Sequence, residues 1–205
     1  MEIKMDNQYH DFNRQIATLK IVKKERFDRE TADQLEDKLR ETPYVNLLCD
    51  LLFALIIYGK ADDFDRSKSE IEELSKKHEG FPQVYLLLID FFAAKFKEND
   101  SNKAVLLGNE TKDLYEKLKK EDYVLAIYIY GWLGHEYDNR YDNLSAYKYY
   151  SVAISQKVDD YYNFIRIIPL NRFSTIQAAL QNYDEAVELC KEGLEIAKSF
   201  STEST

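Results

Sequence analysis

The most constraining feature of this chain is a spaced set of aromatic and small residues between positions 130 and 153. Four of them share one face of a helix, because each lies three or four positions from two of the others: Tyr130, Leu133, Gly134 and Tyr137. A second helical set follows a short polar stretch: Ala146, Tyr150 and Ala153. The small residues let two helices approach closely, and Tyr150 fills the remaining space. The pattern predicts a closely crossing pair of helices.

The same arrangement recurs roughly 40 residues further along, as expected of a helical repeat. Leu170, Phe173 and Ser174 mark a first helix. The second helix repeats the earlier offsets with Ala186, Cys190 and Gly193. Towards the N-terminus, small residues at Ser67 and Ala104 continue the series of second-helix anchors. An ordinary helix pair explains one such match, whereas the recurrence favours a true repeat.

Proline positions support the same division into helix pairs. The three prolines, Pro43, Pro82 and Pro169, each fall at the predicted start of a first helix, where a missing N–H costs nothing. Ser101 and Asp142 are predicted N-caps of second helices. No segment alternates as a strand does. We therefore predict an all-α chain of about ten helices in five antiparallel pairs.

Composition is consistent with one helical domain spanning residues 1–205, because 45% of the residues are apolar and only six are glycine. The apolar run 45–58 is too short for a membrane span and predicts a buried helix. The N-terminus has no apolar signal-peptide core, so we expect a cytoplasmic protein. Cys49 and Cys190 are predicted to be reduced thiols in the core.

Charge and motif content exclude several function classes. The net charge of −9 disfavours direct nucleic acid binding by this chain. The three histidines are scattered, and no metal, phosphate-binding or nucleophile motif is present. We therefore expect a protein that is not an enzyme and has no cofactor and no bound metal.

The spaced aromatic and small residues resemble the tetratricopeptide repeat, most specifically over residues 127–160 and 167–200. The anchor spacing is longer than the roughly 34 residues of the standard repeat. This resemblance implies a right-handed solenoid that binds peptides or proteins. It therefore favours a binding function over catalysis.

A narrower resemblance concerns the segments 146–150 (AYKYY) and 183–189 (YDEAVEL), together with the acidic, tyrosine-rich helical character. They look like the sensor regions of Gram-positive quorum-sensing regulators, the Rap, Rgg and PlcR-like proteins. The resemblance implies a peptide sensor that controls transcription. The alternative is a structural adaptor or chaperone scaffold that binds a partner protein without switching.

The repeat resemblance also implies which residues line the concave groove, because the first helix of each pair does so. The candidate peptide-binding residues are Asp90, Tyr128, Trp132, His135, Asn171, Arg172 and Thr175. Gly131 is expected on the same surface. Arg172 would bind a peptide carboxylate, Asn171 would bind the peptide backbone, and Asp90 would bind a basic group of the ligand. Apolar residues on the last helix suggest a homodimer.

Overall fold

The computed structural model describes residues 7–21, 27–59, 61–118 and 121–202, which form ten α-helices and no strand. The helices are α1 (Asn7–Ile21), α2 (Arg29–Arg40), α3 (Val45–Tyr58), α4 (Ala61–Lys77), α5 (Phe81–Phe96), α6 (Ser101–Lys117), α7 (Tyr123–Asn139), α8 (Asn143–Ser155), α9 (Ile167–Ala179) and α10 (Tyr183–Thr202). A 3₁₀ helix, Asp160–Arg166, leads into α9. The predicted all-α class and number of helices are confirmed.

The chain divides into two compact units, Met1–Ile89 and Asp90–Thr205, with the boundary inside α5. In the first unit, α3 contacts α1, α2 and α4. Every residue from Leu47 to Leu55 in α3 is buried, as expected for a helix that is apolar on all sides. Among the described residues, no helix combines the length and apolarity needed to cross a membrane.

In the second unit, α7 contacts α6, α8 and α9. A Cβ atom added at Gly134 would lie only 2.8 Å from Cδ1 of Tyr150, which is fully buried on α8. This close approach confirms the crossing that the sequence predicts. The four predicted anchors on second helices are also buried: Ser67, Ala104, Ala146 and Ala186.

One type of corner between helices recurs three times in the second unit. At each corner a residue other than glycine adopts a left-handed backbone, with φ between 54° and 65°: Asn99, Tyr141 and Gln181. The following residue accepts a backbone hydrogen bond from the anchor alanine four positions later: Asp100, Asp142 and Asn182. In α6, α8 and α10 the anchor alanine is therefore always the fourth residue of the helix.

The corner at Tyr141 is expected to be a site of stored strain. Tyr141 has φ 60° and a 90% exposed side chain, so little packing offsets the cost of its left-handed backbone. Replacing it with asparagine, which tolerates this conformation, should raise the free energy of unfolding by about 0.5–1 kcal/mol. Tyr183→Asn, a control at an exposed tyrosine on α10, should bring no such gain. Chemical denaturation of both variants tests this, and equal effects would contradict it.

Two details differ from the sequence predictions. The N-cap of α6 is Asp100, whose carboxylate accepts from the Lys103 N–H at 3.0 Å, and Ser101 is the first helical residue. Asp142 caps α8 as predicted. Cys49 is buried, but Cys190 is exposed and its thiol donates to Ser174 Oγ at 3.2 Å.

Candidate functional site

Aromatic side chains from α5 and α7 form a cluster that stays partly open to solvent. The ring centroid of Trp132 lies 5.2 Å from that of Phe92 and 5.6 Å from that of Phe96, both edge to face. His135, one turn along α7, stands 5.6 Å from the same indole. Phe96 is 60% exposed and Trp132 is half-buried. The protein therefore presents a rigid aromatic surface where a partner side chain can pack.

A lysine lies under this aromatic surface. The Lys95 ammonium lies 5.4 Å from the Phe96 ring centroid and 5.5 Å from that of Trp132. It forms an ion pair with Glu136, and the two side chains are only 10% and 3% exposed. The other carboxylate oxygen of Glu136 accepts from Ser101 Oγ at 3.2 Å. Lys95 is thus held in place by a carboxylate that is itself fixed to the start of α6.

Arg172 adds a second cation from α9. Its side chain is exposed and has no hydrogen bond or ion pair with any described residue. Burial and then the charge of Arg172 lower the pKa of Lys95 to about 8. The charge of Lys95 is balanced by Glu136, whereas the charge of Arg172 remains available to a ligand.

His135 reports on the electrostatic potential at the centre of this group. Its Nδ1 atom is buried without a hydrogen-bond partner among the described residues, and Nε2 lies 3.5 Å from Asn139 Nδ2. Burial, then the charges of Lys95 and Arg172, lower the pKa of His135 to about 4. The imidazole is therefore neutral at pH 7, and both charges that shift its pKa are positive.

This arrangement predicts how stability and titration depend on pH. Since the folded-state pKa of His135 lies below its ordinary 6.5, the unfolded chain binds this proton more tightly. The contribution of His135 to stability should be complete above pH 6.5 and fall as the pH drops towards 4. NMR titration should show a neutral ring down to about pH 4. Arg172→Gln should raise the pKa of His135. The control Lys157→Gln, at an exposed lysine, should not change it. A His135 pKa near 6.5 in the wild-type protein would contradict the burial of this imidazole beside two cations.

The structure brings two of the residues predicted for the groove into contact, Trp132 and His135, and the charge of a third, Arg172, acts on His135. The indole contacts the imidazole, and the guanidinium acts electrostatically on the imidazole. We call the group formed by Phe92, Lys95, Phe96, Trp132, His135 and Arg172 the aromatic–cationic cluster.

The other predicted residues lie on α5, α7 and α9. Asn171 and Thr175 are exposed on α9, where the Thr175 hydroxyl donates to the Asn171 carbonyl at 3.2 Å. Tyr128 is half-buried on α7, one turn before Trp132. Asp90 is half-buried on α5, and its charge acts on Lys103. Their assignment to a groove stays a prediction.

Gly131 does not lie on the open surface that the sequence analysis expected. It is buried, and a Cβ atom there would lie 3.1 Å from Pro169 Cγ on α9. The glycine is therefore needed for the close approach of α9 to α7.

Sequence reasoning missed the contribution of α5 to the cluster. Phe92 and Phe96 are four residues apart, so they share a helix face, and Lys95 lies beside them. That spacing was a usable signal for an aromatic face. The pairing of Lys95 with Glu136 left no such signal, because it joins two helices far apart in sequence.

The cluster offers groups that can contact a ligand. It offers an aromatic surface, one unpaired cation and a neutral imidazole. Within the described ranges, no three His, Cys, Asp or Glu side chains lie together as a metal site requires. Burial raises the pKa of the Cys49 thiol, which keeps it protonated.

Comparison with known proteins adds no relative to this picture. No protein-family model matches the chain, and no curated protein or solved structure shows a significant match to it.

Proposed function

We propose that this chain is a peptide-binding helical-repeat domain of the tetratricopeptide type, and that the peptide lies on the aromatic–cationic cluster. The observation that carries the proposal is the half-buried indole of Trp132, packed edge to face against the exposed Phe96 ring and against His135. The exposed Arg172, whose charge lowers the pKa of His135, adds a cation. Aromatic rings and arginine are the side chains that contribute most to binding energy at protein interfaces. The remaining groove residues predicted from the sequence, Asn171 and Thr175 among them, extend this surface along α9.

The repeat part of the proposal is supported by the recurring corner. Asn99, Tyr141 and Gln181 share one backbone conformation, and each corner precedes a helix with a buried alanine at its fourth position. A right-handed solenoid of five antiparallel helix pairs accommodates such a recurrence. Its period, roughly 40 residues, is longer than that of the standard repeat.

We further propose that peptide binding is regulatory, and that the domain is the cytoplasmic sensor of a quorum-sensing-type transcriptional regulator. The domain itself would not contact DNA, because its net charge is −9. A bound peptide that joins α5, α7 and α9 would change how these helices pack. An adaptor that holds a partner protein would use the same surface without that change.

An array of synthetic hexapeptides, each attached through its N-terminus, tests the proposal. Labelled protein should bind a subset of sequences, and those peptides in solution should raise its melting temperature. Trp132→Ala should abolish binding while retaining the fold, whereas Tyr183→Ala, which removes an exposed aromatic ring on α10, should not. Binding that survives Trp132→Ala would place the ligand elsewhere, and no binding to any sequence would contradict peptide recognition.

Homodimer formation is a separate proposal that concerns α10. Val187 and Leu194 are exposed and seven residues apart, so they lie on one face of this helix. A second copy of the chain could cover that face. The molar mass measured by light scattering at high protein concentration should then exceed that of a monomer. A single species of 24.2 kDa would contradict the proposal.

A further inference from the structure

We infer that two copies of the chain pair through α10, with the two helices antiparallel and with Cys190 of one copy facing Cys190 of the other at the two-fold axis. This inference rests on the proposed homodimer, to which it assigns an orientation, a register and a central residue. It does not depend on peptide binding at the aromatic–cationic cluster.

The open face of α10 has the residue spacing of a helix that packs along another helix. Five residues lie alternately four and three positions apart and form one narrow stripe: Tyr183, Val187, Cys190, Leu194 and Ala197. The first four are exposed and the last is half-buried. Ala186 and Leu189, which are buried, lie on a different face of α10. The stripe is therefore available to a second helix along most of the length of α10.

The sizes of the stripe residues favour an antiparallel pair. The stripe is symmetrical about Cys190, because Tyr183 lies seven residues before it and Ala197 seven residues after it. Antiparallel helices centred on Cys190 place the largest side chain of the stripe opposite the smallest, and Val187 beside Leu194 of the second copy. Parallel helices would instead pair Tyr183 with Tyr183 and Ala197 with Ala197, which overpacks one end of the stripe and leaves a void at the other.

The charges beside the stripe favour the same orientation. Asp184 and Lys198 flank the stripe on one side, near its two ends, and both are exposed. In the antiparallel pair each of these carboxylates faces an ammonium group of the second copy, whereas in the parallel pair each charge faces a like charge. Lys191 lies beside the two-fold axis, where its ion pair with Glu188 of the same helix, at 2.7 Å, balances its charge.

The size of the stripe determines how tightly the two copies hold together. Five residues are fewer than the roughly 20–30 on each side of a standard interface. Each copy also carries a net charge of −9, so the two copies repel each other at long range. The dimer should therefore form at high protein concentration and dissociate on dilution.

Single-cysteine variants of the full chain test the orientation. Cys49, the other cysteine of the chain, is buried, so Cys190→Ser removes the one exposed thiol. In that background, Tyr183→Cys and Ala197→Cys each place a thiol at one end of the stripe. A short bismaleimide should cross-link the two variants to each other when they are mixed. It should cross-link neither variant to itself, because like ends of an antiparallel pair lie about 21 Å apart at a rise of 1.5 Å per residue. Cross-linking of each variant to itself would overturn the inference in favour of a parallel pair.

The wild-type chain should cross-link through Cys190, and Leu194→Glu should weaken the dimer roughly 10- to 100-fold in sedimentation equilibrium, because it places a carboxylate from each copy in the apolar stripe. Leu106→Glu, at a similarly exposed leucine on α6, should leave the dimer unchanged. A dimer in light scattering that gives no cross-link through the stripe would overturn the inference but leave the proposed homodimer intact. A monomer at every concentration would overturn both and leave peptide binding at the aromatic–cationic cluster unaffected.

Discussion

Replacing Lys20 with methionine is expected to lower the free energy of unfolding by about 3–5 kcal/mol, because it leaves a buried carboxylate without its cation. The Lys20 ammonium donates to both Asp50 oxygens, at 2.5 and 2.6 Å, and both residues are buried. The Tyr85 hydroxyl also donates to Asp50 at 3.2 Å. Neither water nor Tyr85 can replace a full positive charge at that position.

Two comparisons make this prediction specific. Arg14→Met removes an exposed cation from the same helix and should change stability by less than about 0.5 kcal/mol. The double variant Lys20→Met/Asp50→Leu removes the pair altogether and should recover much of the loss, because no charge is left buried. Urea denaturation measures all three variants. A single variant as stable as the wild type would show that the pair is not buried as described.

Replacing Gly134 with alanine is expected to destabilise the protein by about 1–3 kcal/mol through overpacking, although alanine is the better helix former. The new methyl group would meet three atoms of the Tyr150 ring at 2.8, 2.9 and 3.0 Å. Tyr150 is fully buried, so its ring cannot move aside without disturbing α8 and α9.

The same substitution at Gly193 provides the matched control. There the nearest atom to an added Cβ is Leu170 Cβ at 3.8 Å, an ordinary van der Waals distance. Gly193→Ala should therefore stabilise α10 by about 0.5–1 kcal/mol, the usual difference in helix propensity. Opposite signs for the two substitutions in thermal or urea denaturation support the crossing of α7 and α8. Equal signs would contradict it.

The close crossing at Gly134 illustrates what the sequence can predict about this fold. Small residues that recur at helical spacing identify the positions where helices touch, because only they allow close approach. Ala146 and Ala186 are buried for this reason, and Tyr150 fills the space beside Gly134 as the pattern indicates. Proline and helix-capping residues then place the helix starts to within about two residues. Asp142 caps α8 as predicted, Pro43 lies two residues before α3, and Pro169 is the third residue of α9.

The candidate site was harder to predict, since it depends on how neighbouring helices are rotated. The sequence analysis placed Trp132, His135 and Arg172 on one surface because it assumed a repeat register, and their role in binding stays a prediction. Lys95 and Glu136 were not identified, because a buried ion pair between helices leaves no local periodicity. The exposure of Cys190 was also missed, because the sequence analysis placed this residue on an apolar helix face.

The fluorescence of Trp132 is the most direct test of whether a peptide binds at this residue. Trp132 is the only tryptophan in the chain, so its emission reports on the cluster without labelling. Titration with the tightest-binding array peptide should change the emission saturably, with the same Kd as calorimetry gives, and Arg172→Gln should shift that Kd upwards. Saturable binding in calorimetry without any change in Trp132 emission would contradict peptide binding at Trp132.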